Sequence, residues 1–259
     1  MTDKHTALFA SSVLTYDSVA VVQNRVANHL VELCQHHVPQ GLSIFDVGCG
    51  TGLLTLPMVR VLKPSHLTLN DISPEMLTLA MSRTATIMPS AVPLVGNAED
   101  VPWPSAQVVA SASAVQWFNS PLAFVSKAQQ TILSAQSQYC SSASIPAYVN
   151  TQSSTQPKGY VALATYGPLT FCELRRGAPA PELYPTLPQW QKALTDHGFS
   201  LLECEERTHV QHYASRQQML RMIALSGVGH DRAHQSSGHM GAGPTQLTWH
   251  IIWLVAALS

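Results

Sequence analysis

The chain has 259 residues, 46% hydrophobic but only 11% charged, with a formal net charge of −1. That length suits one large core, and near-neutrality supplies no global attraction to nucleic acid or to an anionic membrane. Five scattered cysteines (Cys34, Cys49, Cys140, Cys172 and Cys204) form no C-x-x-C pair, which argues against a disulfide framework or a zinc site. The start, Met1-Thr-Asp-Lys-His5, lacks the basic-then-apolar layout of a secretory signal. The longest apolar run, Ile251 to Leu258, is too short to suggest a membrane span and reads as a buried strand. A cytoplasmic protein is expected.

Val19, Val22, Val26, Leu30 and Leu33 recur at helical spacing, predicting an amphipathic helix from Ser18 to His37 that ends at Pro39-Gln-Gly41. A strand over Leu42–Val47 follows, then a helix from Thr51 to Leu62. His66–Leu69 is a second strand. Ser73 caps the next helix, with Pro74 at its first position and its end near Thr86. Val92–Val95 and Gln107–Ser111 are further strands, and a helix runs from Pro121 to Leu133. The Ser-, Ala- and Gln-rich stretch that follows buries little apolar surface, so residues 134–157 are expected to be a flexible insertion. Lys158–Thr165 resumes the core as the fifth strand. A helix over Gln189–His197 closed by Gly198, a long strand over Phe199–Tyr213, a helix over Ser215–Leu225 and the final strand complete the chain. This rhythm predicts one α/β domain over residues 1–259, with a mainly parallel seven-stranded sheet and helices on both faces. Helical cap elements are expected around 168–190 and 213–243, over the sheet's carboxyl edge.

The most informative segment is Asp46-Val-Gly-Cys-Gly-Thr-Gly52. Glycines let the backbone turn tightly and approach a ligand, and the carboxyl end of a first parallel strand is where nucleotide-like ligands sit. The dinucleotide pattern is G-x-G-x-x-G, whereas Gly48, Gly50 and Gly52 are spaced G-x-G-x-G behind Asp46. That spacing resembles motif I of the class I S-adenosylmethionine-dependent methyltransferases, with a Rossmann-like fold. Asp71, about 20 residues beyond the turn, stands where an acid meets ribose hydroxyls. Asp46, Gly48, Cys49, Gly50, Gly52, Asp71 and Ile72 are thus candidate cofactor-binding residues. Asn97 and Ala98 after the third strand are placed to meet the adenine, although Asn97 also suits a turn. Ser113, after the fourth strand, is placed beside the methionine part.

Ala114-Val-Gln-Trp-Phe118 resembles a signature of the malonyl-acyl carrier protein O-methyltransferases of biotin synthesis. Phe9 to Tyr16 with Gln23 and Ala27, Gly159 to Thr165 with Thr170 and Glu173-Leu-Arg175, Leu225 to Gly229, and Leu247 to His250 are similar to other segments of that family. The resemblance covers the chain apart from the stretch 134–156. It implies methyl transfer from S-adenosylmethionine to the free carboxylate of malonyl-acyl carrier protein, or malonyl-CoA, to give the methyl ester that primes pimeloyl synthesis. A malonyl carboxylate is already ionised at neutral pH, so no general base is required. Tyr16 is expected to act as a lid residue. Gln116 and Trp117 are expected to line the substrate entrance, with Gln116 on the carboxylate, and Arg175 to neutralise it. Arg207, Arg216, Arg221 and Arg232, with only Asp231 against them, form the candidate basic face for an acidic carrier protein. His230, His234 and His239 lie in a glycine-rich loop without an anchored acid, so no metal is expected. Another small-molecule methyltransferase, or a non-catalytic S-adenosylmethionine-binding regulatory protein, remains an alternative.

Overall fold

The computed structural model describes residues 16–142, 157–174, 184–226 and 245–259. A helical turn at residues 16–19 leads into α1 (Val21–Gln35). There follow β1 (Ile44–Val47), α2 (Thr55–Leu62), β2 (Leu67–Asp71), α3 (Pro74–Thr84), β3 (Val92–Val95) and β4 (Val108–Ala112). Then come α4 (Ala123–Ser142), β5 (Gly159–Tyr166), α5 (Leu187–Asp196), β6 (Phe199–His212), α6 (Arg216–Ser226) and β7 (Gln246–Leu258).

The strands form one seven-stranded sheet in the order β3-β2-β1-β4-β5-β7-β6. Neighbours from β3 through β5 pair in parallel, while β7 runs antiparallel to both β5 and β6. Side chains alternate between faces along a strand, and the core divides accordingly. Ile44, Leu69, Val108 and Ala162 join Val26 and Leu30 of α1 and Met58 of α2 on one face. Phe45, Val47, Val109 and Val161 join Phe124 of α4 and Trp190 of α5 on the other. Asp46 therefore shares the α1 side with Ile44. Strand order reverses between β1 and β4, which opens a crevice at their carboxyl ends, the usual ligand position in open α/β sheets.

Most element boundaries differ from expectation by a few residues, and three of the differences have a clear local reason. α2 starts at Thr55 rather than Thr51, because Gly52 has φ +88°, a left-handed conformation no right-handed helix accommodates. α4 continues past Leu133 to Ser142. Ala135 is buried, Ser134 Oγ donates to the Gln130 carbonyl at 2.8 Å, and Ala and Gln favour helix. The expected insertion therefore begins as helix, and residues 143–156 lie outside the described residues. α5 begins at Leu187 because Thr186 and Gln189 form a reciprocal capping box.

The cap regions are described only in part, since residues 175–183 and 227–244 lie outside the described residues. The segment after β5 is fastened to β7. The Phe171 N–H donates to the Thr248 carbonyl at 2.8 Å, Thr248 Oγ1 donates to Glu173, and the Leu169 N–H donates to His250 Nδ1. No helix among the described residues is long and apolar enough to cross a membrane.

Candidate active site

β1 delivers the chain into a turn with three left-handed glycines, Gly48 (φ +69°), Gly50 (φ +54°) and Gly52 (φ +88°). At Gly48 the requirement is doubled: a β-carbon there would collide with that of Ala114 in the loop after β4. The β4 loop thus closes directly against the glycine turn. A β-carbon on Gly50 would meet nothing within 4 Å among the described residues.

The turn is tied to the end of β2. The Gly50 N–H donates to Asp71 Oδ2 at 2.8 Å, the Ser73 N–H donates to Asp71 Oδ1 at 2.9 Å, and the Cys49 N–H donates to the Asn70 carbonyl at 2.8 Å. Burial pushes the Asp71 carboxyl up from the usual carboxylate range, while the N–H groups of Ser73, Gly50 and Ile72 pull it down. Asn70 Nδ2 donates to the carbonyls of Leu94 and Gly96, which carries the same stitching to β3.

Asp46 sits behind the turn rather than in the cleft. Its Oδ2 accepts the Thr55 hydroxyl at 2.6 Å, and its Oδ1 is buried with no partner among the described residues. Burial raises its pKa to about 7, against the lowering effect of the Thr55 hydrogen bond.

The cleft at the carboxyl ends of β1, β2 and β4 encloses about 950 Å³, its open mouth included. Of the residues singled out in the sequence, Tyr16, Gly48, Cys49, Gly50, Asp71, Ile72, Asn97, Ala98, Ser113 and Trp117 line it. Asp46, Gly52 and Gln116 do not. Gln116 was expected at the substrate entrance, but it is buried and its Nε2 donates to the Ser113 carbonyl at 2.5 Å. Its amide buttresses the β4 loop instead of reaching into the cleft. Asn97 spends its side chain on its own turn, with Nδ2 donating to Asp100 Oδ2 at 2.8 Å and Oδ1 accepting the Glu99 N–H. Arg175 lies outside the described residues, as do Arg232, His230, His234 and His239.

Ser113 is held in a left-handed conformation (φ +58°). Its N–H donates to the Ala164 carbonyl and its hydroxyl lies 2.9 Å from the Tyr166 hydroxyl. Tyr166 is fully buried and packs on Trp249, which packs on Phe171. Burial, and then the charges of Asp71 and Asp17, raise the Tyr16 hydroxyl well above its ordinary pKa. Tyr16 is therefore a hydrogen-bond donor and not a base at neutral pH. Cys49, despite its place in the turn, is pushed well up by burial and then by Asp71 and Asp46, so its thiol is not a nucleophile.

The expected basic face is altered. Arg207 pairs with Glu205 at 2.5 Å, so its charge is already met by an acid of the same strand. Arg216 and Arg221 both stand on α6, and Arg221 is exposed. Sequence reasoning missed Asp17, Arg83 and Thr51, which bind one another beside the cleft. It also missed Tyr166, which supports Ser113. Only the fixed spacing of strand ends signals such partners, and these are far apart in sequence.

Fold and site together define a class I, S-adenosylmethionine-dependent methyltransferase. Residues 44–134 match a family model described as a methyltransferase domain. Over 85% of its length the chain is 29% identical to the malonyl-[acyl-carrier protein] O-methyltransferase of Bacteroides thetaiotaomicron, 75% of which is covered. It is 25% identical to the enzyme of that name from Haemophilus influenzae, with 97% of this chain and 92% of that one covered. Among solved structures, a candidate methyltransferase from Bacillus halodurans superposes with a TM-score of 0.59 at 16% identity, covering 88% of this chain and 97% of that one.

Proposed function

We propose that the chain methylates the free carboxylate of malonyl-acyl carrier protein, with S-adenosylmethionine as donor. The observation that carries the reading is the charge of the cleft. Among the described residues lining it, Asp71 is the one ionisable group of low intrinsic pKa, and no histidine or lysine stands ready as a base. An acceptor that must lose a proton on attack is poorly served there, whereas a carboxylate arrives ionised. The names of the relatives point to the same acceptor.

The residues present fit the donor. Asp71 Oδ2 accepts the Gly50 N–H and Oδ1 the Ser73 N–H, and the carboxylate retains acceptor capacity for a ribose hydroxyl. Gly50 faces open space, Ile72 and Ala98 flank the adenine position, and Ser113 meets the amino-acid part. When bound, the donor supplies a methyl group on a sulfonium, whose bonding pair stays with sulfur as the carboxylate oxygen attacks. The protein's work is positioning and exclusion of water. Gln116, Tyr166 and the Ala164 carbonyl fix Ser113, the Asp17 contacts hold Tyr16 over the cleft, and Trp117 walls the entrance. Asp46 serves the turn from behind, through Thr55. Arg216 and Arg221 offer the positive charge for an acidic carrier protein; with Arg207 already paired, α6 is the face to test.

The test is transfer of labelled methyl from S-adenosylmethionine to malonyl-acyl carrier protein, with unloaded carrier and malonyl-CoA in parallel. Label in a base-labile ester on the malonyl form is the expected result. Donor binding without transfer to either malonyl thioester would overturn the assignment of the acceptor.

A further inference from the structure

Three buried side-chain N–H donors among the described residues have no hydrogen-bond partner: Gln23 Nε2, Trp190 Nε1 and Trp249 Nε1. Of these, only Gln23 lines the cleft. It stands in the first turn of α1, 3% exposed, beside the buried apolar residues Val22, Val26 and Ala27. Leaving a buried amide unpaired is costly, and leucine or methionine would fill the position without that cost. The side chain is therefore arranged for something that enters the cleft.

Its position shows which end it serves. α1 packs on β4, β5 and β7 and against α2, on the opposite side of β1 from β2 and β3. Asp71, Ile72, Asn97 and Ala98 line the β2–β3 end, whereas Gln23, Ala27 and Leu53 line the α1 end. A donor whose ribose lies on Asp71, as the proposed function has it, extends its amino-acid part towards α1. That part carries a carboxylate, and no cationic side chain among the described residues lines the cleft to meet it.

We infer that Gln23 Nε2 donates a hydrogen bond to the carboxylate of the methyl donor's amino-acid end. A neutral amide holds this group without placing a cation in the cleft. A cation there would also draw in the acceptor's carboxylate and pair with it, in competition with its attack. Gln23 is then a specificity residue, separating amino-acid-bearing donors and products from adenine nucleosides that lack the carboxylate.

The inference is tested by calorimetric titration of the full chain with S-adenosylhomocysteine and with 5′-methylthioadenosine, which shares the nucleoside but has no carboxylate. Gln23→Met keeps length and burial while removing the donor, and Gln23→Leu is a second version. S-adenosylhomocysteine should bind on the order of tenfold more weakly to both variants. Their affinity for 5′-methylthioadenosine should not change, so the preference between the two ligands shrinks by the same factor. Equal weakening of both ligands would reveal a packing role and overturn the inference, as would unchanged affinity for both. If the unmodified chain bound neither ligand, the donor assignment would fall, and this inference with it.

Discussion

Asp17 joins the entry segment to two other elements at once: its Oδ2 pairs with Arg83 of α3 at 2.6 Å, and its Oδ1 accepts the Thr51 hydroxyl of the glycine turn at 2.6 Å. Arg83 also donates to the Thr51 carbonyl at 2.9 Å, which closes the triangle. Tyr16 is the adjacent residue, so its place at the cleft depends on this clasp. Both charged side chains are about one-third exposed, which limits the pair to about 1 kcal/mol. Asp17→Asn or Arg83→Gln should raise the donor's dissociation constant several-fold with little change in Tm. The double variant should cost no more than the larger single one. Additive losses in titration calorimetry would show that the two residues act independently.

Gly48→Ala should impair folding and donor binding together, because it sets a β-carbon against that of Ala114 and demands a left-handed alanine. Adding Ala114→Gly removes the collision but leaves the conformational cost, about 1 kcal/mol. Urea denaturation should therefore show partial, not full, rescue in the double variant. No rescue at all would mean that the two loops do not meet as described.

The ends of β1 and β2 were legible in the sequence because their chemistry is local. Gly48, Gly50 and Asp71 stand at fixed distances along the chain, and a β-turn-α unit converts that spacing directly into a cleft wall, although Asp46 and Gly52 of the same pattern do not line it. The buried run Ile251–Leu258 was legible as strand for a similar reason: it is apolar on both faces, as a strand covered on both sides must be. Gln116 was misread because a polar residue next to Trp117 looks like part of an entrance, while its partner, the Ser113 carbonyl, is a backbone atom with no sequence signature. The clasp was invisible because Asp17, Thr51 and Arg83 come from three separate elements. The start of α5 is encoded in Thr186-Leu-Pro-Gln189, a threonine followed at the third residue by glutamine, two residues ahead of the start expected at Gln189.

Asp71→Ala should weaken donor binding by about 1.5–3 kcal/mol, the worth of hydrogen bonds to a charged group. It also frees the Gly50 and Ser73 N–H groups, so Tm should fall. Asp71→Asn should recover part of the stability, since its carbonyl still accepts one of them, but not the affinity. An unchanged dissociation constant in the alanine variant would remove Asp71 from the binding site.

Asp46 gives the free protein a pH dependence of defined sign. Its pKa rises from the ordinary carboxylate value in the unfolded chain to about 7 in the fold. The folded form therefore holds a proton that the unfolded chain has already released, and stability falls as pH rises through that interval. The contribution is fully present below about pH 4 and gone above about pH 7, on the order of 4 kcal/mol at most. Asp46→Asn, which keeps an acceptor for Thr55, should flatten urea-denaturation stability between pH 5 and pH 8. A variant that retained the full slope would place its origin in another group.

The interposition of β7 between β5 and β6 has a consequence for how the protein is made. Among the described residues β6 pairs with β7 alone, and β5 has no partner on its outer side until β7 arrives. As the chain leaves the ribosome, β1 to β5 can assemble in parallel order, but β6 emerges with no neighbour to pair with. Its fourteen residues must wait, with their backbone N–H and carbonyl groups unpaired, for a strand synthesised after them. Such an open edge invites pairing with other chains. The crevice that serves chemistry is thus framed early, whereas protection from aggregation is completed by the last strand of the sheet to be made.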